Sequence, residues 1–146
     1  MNGFVIIGAA LLALVASAAP LQSPTPPDQP PAGPGGRSYL HERVRITQIG
    51  SGVEEVYLFE PANPAPERAP VVVFGHGWGA MDPDLYGSWI AHIVKRGFTV
   101  VYPRYQADLR TPVRDFTPHA LLATKRALNE LRTGDHGDLV IHVTGR

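Results

Sequence analysis

Val71-Val72-Val73-Phe74-Gly75-His76-Gly77-Trp78-Gly79-Ala80 joins a buried-strand run to a glycine-rich loop, and the fold is read outward from it. Four apolar residues in succession, three of them β-branched, suit a strand covered on both faces, as the central strands of a parallel sheet are. Glycine at alternate positions of the following loop lets the backbone turn sharply and approach a ligand without Cβ interference. Amide N–H groups are then presented at the carboxyl end of a strand, where open α/β sheets bind their ligands.

Downstream, the pattern repeats. Asp82 followed by Pro83 predicts a helix N-terminus, and Leu85, Trp89 and Ile93, with Ile90 and Val94 beside them, predict its apolar face. Lys95 and Arg96 fall in its last turn and Gly97 stops it. Phe98 to Tyr102 reads as a second parallel strand, reached by a right-handed crossover. The loop beyond it holds Arg104, Asp108, Arg110, Arg114 and Asp115, read as a solvated face with weak ion pairs. Thr117 and Pro118 then predict a second helix start, with a stripe of Ala120, Ala123 and Ala127 beside Leu121, Leu128 and Leu131. Gly134 ends that helix, Asp135 to Asp138 form a turn, and Leu139 to Val143 is a third parallel strand.

Upstream, Val44-Arg45-Ile46-Thr47 and Val56-Tyr57-Leu58-Phe59 flank the turn Gly50-Ser51-Gly52, which predicts an antiparallel hairpin. Pro61 to Pro70 reads as a surface loop. Residues 19–38, rich in proline and glycine, read as a disordered linker. Phe4 to Val15 is apolar and precedes Ala16-Ser17-Ala18, an A-x-A pattern, so residues 1–18 read as a signal peptide cleaved after Ala18. The chain is therefore expected in the periplasm or medium. A membrane anchor is the alternative, although the run is short for a bilayer span.

His-Gly-x-Gly after a strand, then a helix, then a strand ending Val101-Tyr102-Pro103-Arg104-Tyr105, resembles the first half of α/β-hydrolase enzymes, including their esterase/lipase-like and dienelactone-hydrolase-like branches. The resemblance spans roughly residues 44 to 146 and implies an α/β fold: a mostly parallel sheet with an amino-terminal hairpin and flanking helices, residues 39–146 being a partial domain. It also implies that the loop of His76, Gly77, Trp78 and Gly79 is the oxyanion loop, with the Trp78 backbone N–H as donor. The activity implied is hydrolysis of a carboxylic ester or related acyl bond in a small molecule. An ordinary glycine-rich turn, in which His76 only makes a hydrogen bond, is the competing reading of the same residues.

The family's nucleophile sits in a Gly-x-Ser-x-Gly turn after the next strand. No such motif occurs among Ser17, Ser23, Ser38, Ser51 and Ser88, and Gly145-Arg146 matches only its first two positions. The chain is thus expected to be an amino-terminal piece, inactive alone, lacking nucleophile, acid and catalytic histidine. Two other classes stay open: a non-catalytic binding protein with the same half-sheet, and a flavodoxin-like ligand-binding domain. The latter fits poorly, because no G-x-G-x-x-G opens a helix.

Composition narrows the partners. Thirteen basic and thirteen acidic residues cancel, which removes the electrostatic signature of a nucleic-acid binder. With no cysteine and six singly scattered histidines, the sequence predicts neither disulfide nor metal site, and no cofactor is expected.

Overall fold

The computed structural model describes residues 27–33 and 35–134, together with the backbone of 140–142. The expected signal peptide, part of the linker, the turn at 135–138, the outer residues of the last strand, and Gly145 and Arg146 lie outside the described residues.

Among the described residues five strands form one sheet: β1 (Arg43–Ile49), β2 (Val56–Ala62), β3 (Arg68–Val73), β4 (Thr99–Pro103) and β5 (Val140–His142), in the order β1-β2-β4-β3-β5. Two helices connect them: α1 (Gly87–Lys95) between β3 and β4, and α2 (Phe116–Thr133) after β4. The hairpin β1–β2 pairs Arg43 with Ala62 and Ile49 with Val56. Its turn uses Gly50 and Gly52 at positive φ, and a Cβ on Gly50 would stand 2.9 Å from the Glu54 carbonyl oxygen. β2 also pairs antiparallel with β4, whereas β4–β3 and β3–β5 are parallel. The sheet is therefore mixed rather than mostly parallel: β2, one arm of the hairpin, lies against β4 and carries the antiparallel pattern into the sheet.

Alternation along β2 and β4 builds two cores. Val56, Leu58 and Val101 pack under Ala123, Ala127 and Leu131 of α2. Phe59, Val100 and Tyr102 pack against Ile90 and Val94 of α1 on the opposite face. The chain leaves β3 toward the β2 side and leaves β4 toward the β5 side. Crossovers of one hand running in opposite directions put their helices on opposite faces, as found here. Adjacent strands β3 and β4 thus send their carboxyl-end loops to opposite faces, which opens a crevice between them.

Several local expectations shift. The predicted loop from Pro61 to Pro70 narrows to residues 63–67. β2 meets β4 only over Val56–Phe59, so Pro61 falls where its missing N–H is not needed on that side; Pro70 likewise precedes Val71, the first residue of β3 paired to β4. Asp82 does cap, its carboxylate accepting from Asp84 N–H at 3.0 Å, but the turn it opens, Pro83–Tyr86, is 3-10 before α1 begins. The tighter winding changes the helical phase. Leu85, in that turn, falls out of phase with α1 and is exposed; within α1 Trp89 is also exposed, and the buried stripe is Ile90 and Val94 with half-buried Tyr86 and Ile93.

α2 starts at Phe116, not after a Thr117 cap. Pro118 is its third residue, where the first turn leaves N–H groups without partners in any case. Leu121 is exposed, so the stripe against the sheet is Ala123, Ala127 and Leu131, whose small residues let the helix approach closely. Gly97, at φ 98°, ends α1 and donates to the Val94 carbonyl at 2.8 Å.

The carboxyl end of α1 is strapped by residues 38–41. Leu40 and His41 both donate their N–H to the Lys95 carbonyl, at 3.0 and 3.1 Å. The Tyr39 hydroxyl lies 3.1 Å from His92 Nδ1, and Arg96 donates to the Ser38 carbonyl. Among the described residues no helix is long and apolar enough to cross a membrane.

Candidate functional site

The loop after β3 is held from several directions. Phe74 N–H still bonds the Val101 carbonyl at 2.8 Å, which fixes where the strand hands over to the glycines. Gly77 N–H then donates to the Tyr86 hydroxyl at 3.0 Å, and Gly79 N–H to Gln106 Oε1 at 2.9 Å. The Tyr105 hydroxyl donates to the His76 carbonyl, and that of Tyr102 to the Ala80 carbonyl. Ala80 N–H closes a turn onto the Gly77 carbonyl at 3.0 Å. Gly79 sits at φ 79°, the left-handed region that favours glycine.

The amides of Gly77 and Gly79 are therefore engaged. Those of Gly75, His76 and Trp78 have no acceptor among the described residues. Trp78 N–H is flanked on both sides by clamped neighbours, and its indole is exposed. A donor fixed by its neighbours rather than by its own bond is available to a ligand without reorganisation.

His76 is buried and stacks on Tyr105 with ring centroids 4.0 Å apart and planes 3° apart. Its Nδ1 lies 2.7 Å from the Gly77 carbonyl, which can only accept, so Nδ1 carries the proton. Nε2 keeps its lone pair, buried and without a partner among the described residues. Burial pushes the His76 pKa below 6.5 and the Arg104 charge acts the same way, against the bond to Gly77; the ring is neutral at pH 7. Burial raises the pKa values of Tyr102 and Tyr105, so both remain hydroxyl donors to the loop.

A cleft of about 330 Å³ opens beside this loop, lined by Tyr57, Gly79, Met81, Asp82 and Arg104. Behind it lies the buried carboxylate of Glu55, which accepts from Arg104 Nη1 at 2.6 Å, from the Tyr57 hydroxyl at 2.5 Å and from Gln48 Nε2 at 2.7 Å. Burial alone would raise the Glu55 pKa, but the bonds from Tyr57, Arg104 and Gln48, with the Arg104 charge, bring it below 4.5. Tyr57 is pushed up to about 12 by burial and by Glu55. Arg104, expected on a solvated face, is instead an internal ion-pair partner; Arg114 and Asp115, 3.7 Å apart and exposed, do match that expectation. A larger apolar cleft of about 470 Å³, lined by Val72, His92, Ile93, Arg96 and Phe98, lies toward the carboxyl end of α1.

His76, Gly77, Trp78 and Gly79 are thus brought to the crevice between the β3 and β4 loops. Tyr86, Tyr105, Gln106 and Glu55 were missed as site residues, since they reach the loop or the cleft through side chains distant in sequence. No described serine hydroxyl bonds a histidine. The arrangement can bind and polarise an oxygen atom; a covalent step needs a nucleophile that these residues do not supply. Searches of protein-family models, curated proteins and solved structures find no match to this chain.

Proposed function

We propose that this chain supplies the oxyanion-binding half of an ester hydrolase of the α/β-hydrolase type, exerted in a longer polypeptide. The observation that carries the reading is the Trp78 amide. It lacks an acceptor among the described residues, lies between two anchored glycine amides, and follows the third strand at the crevice between β3 and β4. Strand β5, entered from α2, is the parallel neighbour of β3, so the two strands point to the same edge of the sheet. By resemblance, Gly145-Arg146 would match the first two positions of the family's nucleophile motif, with the nucleophile at the next position.

In this reading the substrate carbonyl oxygen accepts from Trp78 N–H. As the nucleophile adds to carbon, negative charge grows on that oxygen and the fixed donor stabilises it more than it stabilised the neutral carbonyl. Trp78→Pro deletes the N–H itself, whereas Trp78→Ala keeps it. In a polypeptide that continues through the downstream reading frame, hydrolysis of p-nitrophenyl acetate is expected to fall by ~10²–10³ in kcat for Trp78→Pro. Trp78→Ala should change mainly KM. Unchanged kcat in the proline variant, or a downstream residue other than Ser, Cys or Asp after Arg146, refutes the proposal.

A further inference from the structure

The cleft beside the glycine loop has walls whose chemistry selects a ligand class. Arg104 and Asp82 are its charged lining residues, and Arg104 is already neutralised by Glu55 at 2.6 Å. The three formal charges leave one negative excess, which disfavours a simple anion. A simple cation would have to lie against the guanidinium.

Arg104 also offers donors: Nη1 gives one N–H to Glu55 and Nη2 one to the Ala107 carbonyl, and each of these nitrogens carries a second N–H. Gln106, fully buried, fixes this wall from behind: its Oε1 accepts from Gly79 N–H. One Asp82 oxygen accepts from Asp84 N–H. A carboxylate has further acceptor sites beyond that bond. The cleft thus combines acceptor capacity at Asp82, donor capacity at the Arg104 guanidinium and an aromatic residue, Tyr57. A hydroxyl group is the neutral group that both donates and accepts.

We propose that this cleft binds a neutral, hydroxyl-rich ligand, a sugar or polyol, held between Asp82 and Arg104 with Tyr57 beneath it. Its volume, about 330 Å³, lies at the small end of the ~300–1,000 Å³ typical of small-molecule sites. Resting on the hydrolase reading above, the substrate is an ester of such a hydroxylated compound, whose acyl carbonyl lies at Trp78 while its hydroxyls occupy the cleft.

The test reads binding on the 146-residue chain at micromolar concentration. Tryptophan emission of a Trp89→Phe chain isolates Trp78, which adjoins Gly79 on the cleft wall. Methyl β-D-glucopyranoside and sorbitol are titrated, with sodium acetate and tetramethylammonium chloride as ionic probes. Saturable change with the two neutral probes is expected, with a weaker response to either ion. Asp82→Ser keeps a residue that caps the turn after it but removes the carboxylate, and should weaken the sugar response at least about tenfold with an unchanged melting temperature. No saturation with the neutral probes, an equal or stronger response to either ion, or an Asp82→Ser chain that binds as before overturns the inference. No ester is present in this assay, so its outcome is separate from that of the Trp78→Pro experiment.

Discussion

His76 and Glu55 give the molecule two acid-sensitive points with the same sign. The His76 pKa is depressed on folding, so an unfolded chain protonates there first, and stability present above pH 6.5 declines as pH falls below it. Glu55 is likewise depressed below 4.5, and the stability it contributes declines further below that value. Melting temperature should therefore hold above pH 7 and fall in two steps, the first below pH 6.5 and the second below pH 4.5. Replacing His76 by Phe, which can keep the stack on Tyr105, should remove the upper step; a flat profile in the parent chain from pH 7 to 5 would contradict this assignment. At this scale the sequence made the loop visible through its glycines, whose alternate spacing is a local signal. It did not reveal the loop's partners. Tyr86, Tyr105 and Gln106 stand 9 to 29 residues from the groups they bind, and no short-range pattern encodes such a meeting.

For α1, the buried seam and the exposed seam make opposite predictions. Ile90→Ala should cost about 2–5 kcal/mol, because Ile90 is buried against Val100 and Tyr102 and the vacated volume does not refill. Leu85→Ala should stay within about 0.5 kcal/mol, since Leu85 is 68% exposed. Urea denaturation of both variants checks the pair, and equal losses would return Leu85 to the core. The strands were legible because β-branched runs between glycines and prolines carry their own signal. The helix phase was not: a 3.6-residue period laid over Pro83–Tyr86 ignores the 3-10 turn that resets it. Pairing of β2 with β4 was also hidden, since strands more than forty residues apart choose neighbours through the two cores they build.

Across the whole molecule, cover is uneven. Neither α1 nor α2 shields β3 as it shields β4: Val73 is 51% exposed, and Val72 lines the open apolar cleft with Ile93 and Phe98. β5 stands at one end of the strand order, so its outer edge has no partner strand among the described residues. Open edges and apolar patches of this kind template association. Full burial of one Val, Leu or Ile side chain is worth ~1.5–3 kcal/mol, against a net domain stability of only ~5–15 kcal/mol. The chain made alone should therefore associate as its concentration rises, seen as increasing weight-average mass in sedimentation equilibrium; a monomer with one cooperative melt at all concentrations would refute this. The strap at residues 38–41 adds a directional consequence. As the crossover between parallel strands, α1 runs back from the carboxyl ends of the sheet, so Lys95 and the strap lie at the end remote from the glycine loop. A support, a bead or a bilayer coupled to the amino-terminal tail would hold the molecule by its base, with the mouth of the crevice turned outward to the surrounding solution.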